Sequence, residues 1–172
     1  MDEKALLASV YCPPEAGKPW RLEDLLAPAQ VRYYGLGRAA MTAAFRSAGL
    51  GRGDAVLFPA LICGEAVEAA TVLGCEPRYY PVAPNMEPGS AESEWPEAKA
   101  VVAVNYFGFP QDLAPFLRYA SRNRALVIED NAHGLFSRAP DGALLGLRAD
   151  AGIFSLRKTI ALANGAALAV PP

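Results

Sequence analysis

A chain of 172 residues with 52% hydrophobic and 20% charged side chains is the size of one domain, with ample apolar sequence to bury a core. Its net charge of −2 lacks the basic excess that nucleic-acid binding needs, and its apolar content excludes a disordered chain. Cys12, Cys63 and Cys75 are odd in number and widely spaced. They form neither a disulfide framework nor a metal-ligand pattern, so a reducing cytoplasm is the natural location and no metal is expected. Met1-Asp2-Glu3-Lys4 is acidic and leads into no signal-peptide cleavage pattern, and no apolar run approaches the roughly 18 residues needed to span a membrane.

In chain order, residues 1–30 read as an arm. Pro13-Pro14 and Pro19 break any long element, and only Leu22 to Leu26 suit a turn or two of helix. Such an arm is expected to lie over the body and not in its core, leaving residues 31–172 as one domain. Val31-Arg32-Tyr33-Tyr34 predicts a short strand. The glycine loop Gly35-Leu36-Gly37-Arg38 leads into a helix from Ala39 to Ala48, with Met41, Ala44, Phe45 and Ala48 on one face. Gly49 to Asp54 turns the chain into the strand Ala55-Val56-Leu57-Phe58, closed by Pro59. Glu65 to Leu73 predicts a helix capped by Gly74, and Pro77 to Val82 a strand.

Pro84, Pro88, Gly89 and Pro96 make residues 83–98 a loop-rich excursion. Ala100-Val101-Val102-Ala103-Val104 is apolar throughout, the pattern of a strand buried on both faces. Asp112 to Asn123 predicts a helix. Strands are expected from Ala125, from Ala151 to Ser155 and from Ala166 to Val170. This alternation predicts an α/β fold, a three-layer α/β/α sandwich on a mostly parallel sheet.

Ligands of open α/β sheets bind at the carboxyl ends of strands, and four loops there could carry chemistry. Ala125-Leu126-Val127-Ile128 runs into Glu129-Asp130-Asn131-Ala132-His133-Gly134, delivering acids and the only histidine of the chain. An Asp130 held at a dry sheet edge can keep a bound heterocycle nitrogen protonated. The alternative is that Asp130 caps a following helix and His133 packs on its flank. Gly37-Arg38-Ala39 places backbone N–H groups at a helix start, a ready anion site. Cys63 opens another helix, with no histidine near it in sequence to activate it. Ser155-Leu156-Arg157-Lys158 ends a strand in a hydroxyl and two cations, suited to an anionic ligand or, through a lysine of lowered pKa, to Schiff-base chemistry. A solvated strand end with two surface cations is the alternative. Dinucleotide, P-loop, serine-elbow and metal motifs are absent.

In order, these pieces resemble the fold type I (aspartate aminotransferase) superfamily of pyridoxal 5′-phosphate (PLP) enzymes, and within it the DegT/DnrJ/EryC1/StrS sugar aminotransferases. The resemblance runs from Val31 to Val170. It rests on Gly37-Arg38-Ala39-Ala40-Met41, Gly53-Asp54-Ala55-Val56-Leu57-Phe58-Pro59, Gly74-Cys75-Glu76-Pro77, Asn105-Tyr106-Phe107-Gly108-Phe109-Pro110-Gln111-Asp112, Val127 to Gly134, and Phe154-Ser155-Leu156-Arg157-Lys158.

The resemblance implies transfer of an amino group to a keto sugar or similar ketone, with PLP as cofactor. Asp130 would pair with the pyridinium nitrogen, and His133 would lie beside the ring or its phenolic oxygen. Gly37, Arg38 and Ser155 would hold the phosphate. Lys158 would be the Schiff-base lysine and then the base for the 1,3-proton shift. It also implies a small-molecule substrate and a homodimer or larger assembly, with no nucleic acid and no membrane.

Four departures stand out. Cys63 occupies the position of a ring-stacking aromatic, Arg38 replaces a hydroxyl residue, the stretch from Ser155 to Lys158 is two residues short, and Asn164-Gly165-Ala166-Ala167 keeps one of two paired glycines. The chain stops at Pro172, about halfway through a typical member, and the small C-terminal domain is expected to be missing. Two functions follow: an aminotransferase, or a truncated and inactive transferase-like domain acting as a binding or assembly module or as one half of a split enzyme.

Overall fold

The computed structural model describes residues 21–172, and what the sequence suggests for residues 1–20, Cys12 included, lies outside the described residues. Seven strands form one sheet: β1 (Gln30–Tyr34), β2 (Ala55–Pro59), β3 (Glu76–Tyr80), β4 (Ala100–Val104), β5 (Leu126–Asp130), β6 (Ala151–Phe154) and β7 (Ala166–Val170). Their order is β1-β7-β6-β5-β4-β2-β3. The run from β3 to β6 is parallel, while β7 returns antiparallel on β6 and β1 antiparallel on β7.

Among the described residues four helices cover it: α1 (Leu22–Leu26), α2 (Gly37–Ser47), α3 (Gly64–Thr71) and α4 (Ala114–Asn123). The apolar stripes of α2 and α3, with Met41, Phe45 and Ala69 buried, close over Val56, Phe58, Val102, Ile128 and Ile153 on one face of the sheet. On the other face α4 buries Phe116 and Tyr119 against Leu57, Val101 and Val127. The same face continues into a cluster where Leu26 meets Leu135, Phe136 and Phe154. Every residue of β2 and β4 is buried, as apolar runs covered on both sides must be. Among the described residues no helix is long and apolar enough to cross a membrane.

Several boundaries differ from expectation for local reasons. Leu26 is fully buried, so α1 is part of the core and not an overlay. Ala48 is exposed, because α2 ends at Ser47 and Ala48 is its C-cap; Ala40 takes its place on the buried face. Asp112 lies outside α4: Pro115 occupies the first turn, and the Asp112 carboxylate accepts the Ala114 N–H at 2.9 Å. β3 ends at Tyr80 because Pro81 has no N–H for the ladder, and Val82 keeps only an isolated bridge to Pro88.

Candidate functional site

Alternation along β5 sends successive side chains to opposite faces of the sheet. Val127 and Glu129 turn toward the layer of α4, while Ile128 and Asp130 turn toward α2 and α3. Asp130 is the last residue of its strand and pairs in register with Val104 and Ile153, so its carboxylate meets the space left where α2 and α3 begin. That space is a cleft of about 400 Å³.

Six of the seven predicted site residues line the cleft: Gly37, Arg38, Cys63, Asp130, Ser155 and Lys158. The sequence distance between Gly37 and Lys158 is closed by the strand order, which sets β6 between β5 and β7, and by α2 packing on β6 and β7. His133 is not part of the wall. It stands on the adjoining loop, with its Nδ1 accepting the Phe107 N–H at 3.3 Å and its ring stacked on Phe107. The alternative role for Asp130 does not apply, since residues 131–150 contain no helix to cap.

Both helix starts at the cleft lack a capping side chain: Leu36 precedes α2 and Cys63 precedes α3. Their first N–H groups are therefore open to an anionic ligand. Ser155 is buried, yet its hydroxyl has no hydrogen-bond partner among the described residues. Asp130 is buried too, with one carboxylate oxygen accepting the Ala132 N–H at 3.0 Å. Burial pushes its carboxyl above the usual carboxylate range, against the lowering effects of that N–H and of the Lys158 charge. Partial burial and the same Lys158 charge hold the His133 imidazole below its ordinary value. Lys158 is exposed on the short turn Leu156–Lys158, and despite the shortened loop it stands on the cleft wall within electrostatic reach of both groups.

Three features escaped the sequence reading. The Arg38 guanidinium is drawn out to Glu68 of α3 at 2.8 Å, although its residue borders the cleft. Glu65 brings a carboxylate to the cleft from the first turn of α3. An acid in a first turn is common enough that nothing in the sequence marked it as facing a ligand. Tyr106 also acts here: its hydroxyl donates to the Leu61 carbonyl at 2.6 Å, tying the loop that carries Cys63 to the end of β4. Burial and the Asp130 charge push that phenol up to about 12.

Relatives share this geometry's sequence frame. Protein MosB of Rhizobium meliloti is 30% identical over 84% of this chain and 29% of its own length. L-glutamine:2-deoxy-scyllo-inosose aminotransferase of Streptomyces lividus is 32% identical over 75% of this chain and 31% of its own. The chain thus spans about a third of the length of these curated relatives. Among solved structures, Spr1654 of Streptococcus pneumoniae, described as a sugar aminotransferase and captured in a PLP form, superposes at a TM-score of 0.78. The match covers 88% of this chain and 44% of that one at 20% identity, which carries the fold: the large domain of fold type I. The DegT/DnrJ/EryC1/StrS aminotransferase family profile matches residues 35–170, so every strand from β2 to β7 and every residue of the cleft falls inside it, and the chain belongs to that family.

Proposed function

We propose that this chain is the cofactor-holding part of a PLP-dependent aminotransferase acting on a keto sugar, a keto-inositol or a similar ketone. The supporting observation is the meeting, in one cleft, of a buried Asp130 carboxylate, the Lys158 amine, the Ser155 hydroxyl and the α2 start, which has no side-chain cap. A phosphorylated N-heterocyclic aldehyde needs a counter-charge for its ring nitrogen, donors for its phosphate and an amine for its carbonyl. The residues present fit those needs.

PLP, when bound, supplies the electron sink for the electron pair left when a substrate C–H bond breaks. In this reading Asp130 keeps the ring nitrogen protonated, its own carboxyl gaining the partner that burial denies it. The Gly37 and Arg38 backbone N–H groups and the Ser155 hydroxyl hold the phosphate. Arg38 serves through its backbone, because its guanidinium is engaged by Glu68. Cys63 borders the ring with a small thiol instead of an aromatic face. Lys158 Nζ would be the amine that holds the cofactor carbonyl and the group that would move the proton of the 1,3-shift. His133 stands beside the ring. The acceptor class rests on the inosose named in the Streptomyces lividus relative and on the sugar named in Spr1654. Leu61, Phe107 and Phe109 are exposed on the loops after β2 and β4, which supports a dimer or larger assembly.

The test is an absorption spectrum of the purified chain with PLP, before and after borohydride, beside Lys158→Ala. A visible band that reduction makes permanent, with the added mass on Lys158 and neither in the variant, bears the proposal out. A spectrum indifferent to Lys158 overturns it. That outcome favours the second reading, a transferase-like binding or assembly module or one half of a split enzyme. The Arg38–Glu68 pair and the Cys63 substitution already lean that way.

A further inference from the structure

Phe107 combines three features that packing alone does not explain. It is 68% exposed, the most exposed of the large hydrophobic side chains among the described residues. Its backbone is left-handed, at φ 55° and ψ 17°, a region that β-carbon sterics close to most residues other than glycine. And it holds His133 twice. Its N–H reaches His133 Nδ1 at 3.3 Å, and its ring lies 6.0 Å from the imidazole with the planes 20° apart. A non-glycine residue kept in a sparsely populated conformation points to surroundings that enforce it and to a function that needs it.

The surroundings do enforce it. Within the turn, Gly108 N–H donates to the Asn105 carbonyl at 3.1 Å, and Phe109 N–H to the Tyr106 carbonyl at 2.9 Å. The buried Asn105 amide donates to Glu129 at 2.8 Å and lies 3.4 Å from the Asn131 amide oxygen, which joins the loop after β4 to the loop after β5. The two loops then touch backbone to backbone, because a β-carbon on Gly134 would come within 3.0 Å of Gly108 Cα. Phe107 and His133 ride on these locked turns as a pair.

We propose that Phe107 is the positioning residue of His133: its N–H reserves Nδ1 as an acceptor, and its ring sets the imidazole plane. The proton of neutral His133 must then sit on Nε2, which becomes the one donor the histidine presents to a ligand. That this donor serves the ring of a cofactor rests on the function proposed above; the positioning itself does not.

His133 is the only histidine of the chain, so its imidazole signals need no assignment among rivals. The experiment is proton and nitrogen NMR of the uniformly labelled 172-residue chain without cofactor, above the imidazole titration range. The expected result is an unprotonated Nδ1, a protonated Nε2, cross-relaxation between the Phe107 ring and His133 C–H protons, and ring-current shifts of those protons. Phe107→Asn tolerates the left-handed backbone without a ring, so it should keep the protonation pattern and lose the ring-current shift. Phe107→Tyr should keep both. A protonated Nδ1, no cross-relaxation in the wild type, or unchanged imidazole shifts in Phe107→Asn overturns the proposal, and the wild-type spectra decide even if a variant does not fold. A PLP titration adds the functional arm: Phe107→Asn should weaken binding by about tenfold, the effect of one misplaced hydrogen bond. If PLP fails to bind the wild type while the NMR pattern holds, the proposed function fails and the positioning stands.

Discussion

Glu129 and Asp130 are neighbours in one strand with opposite fates: Glu129 is sealed against Arg148 on one face of the sheet, and Asp130 opens on the cleft of the other. Glu129 accepts from the Arg148 backbone, from two of its guanidinium nitrogens and from Asn105. Arg148 spends its remaining donors on Asn105 and the Gln111 carbonyl. The pair therefore clamps the long 131–150 connection and the loop after β4 onto the end of β5, and holds Asp130 in register.

Truncating one partner of that pair strands the other. Arg148 is 15% exposed and Glu129 fully buried, so Glu129→Ala should destabilise the chain by about 3–5 kcal/mol, and Glu129→Gln by less. Urea unfolding followed by circular dichroism measures both. Equal stability in Glu129→Ala would show that the clamp is dispensable.

Asp130 should cost the unliganded chain stability. Its folded carboxyl lies above the unfolded value, so the native state binds that proton more tightly. The penalty is fully present above the raised value and relaxes as pH falls through it. Asp130→Asn should accordingly be more stable than wild type above the raised value without PLP, with the gap closing on acidification. Thermal melts at several pH values test it, and PLP titration should show that the more stable variant no longer holds the cofactor.

Lys158 and His133 should report on each other. The Lys158 charge helps hold the imidazole below its ordinary value, so Lys158→Met should move the His133 C–H titration midpoint upward. An unmoved midpoint would place the Lys158 ammonium away from the cleft in solution.

Gly152 is where backbone approaches backbone. A β-carbon there would stand 1.7 Å from the Gly146 carbonyl oxygen, and one on Gly146 would stand 2.4 Å from the Phe154 ring. Gly152→Ala should cost about 3 kcal/mol or more, seen as a large fall in melting temperature or as insoluble protein. Gly51→Ala, with open space at its β-carbon and no positive φ, is the mild control.

Much of this was readable along the chain. The runs Ala55–Phe58, Ala100–Val104 and Ala166–Val170 became strands because short unbroken apolar stretches ended by proline or polar residues have few other solutions. The carboxyl-end rule marked the separate loops that carry Gly37, Cys63, Asp130, Ser155 and Lys158, and the structure lines one cleft with these residues. The partners were not readable. Arg38 with Glu68, Arg148 with Glu129 and Tyr106 with Leu61 are separated by 30, 19 and 45 residues, and no local pattern couples them. The Phe107–His133 pair was hidden for the same reason.

By itself the sequence determined where strands and helices lie and which loops end at the ligand edge, because burial periodicity, turn residues and caps act over a few neighbours. Only the tertiary structure decided which of two adjacent acids is clamped and which faces the cleft, and where Arg38 spends its charge. It also decided that Lys158 and Asp130 line the same cleft. Those outcomes depend on strand order and on side chains meeting across the sheet, where long-range packing selects among arrangements that the local chain leaves equal in energy.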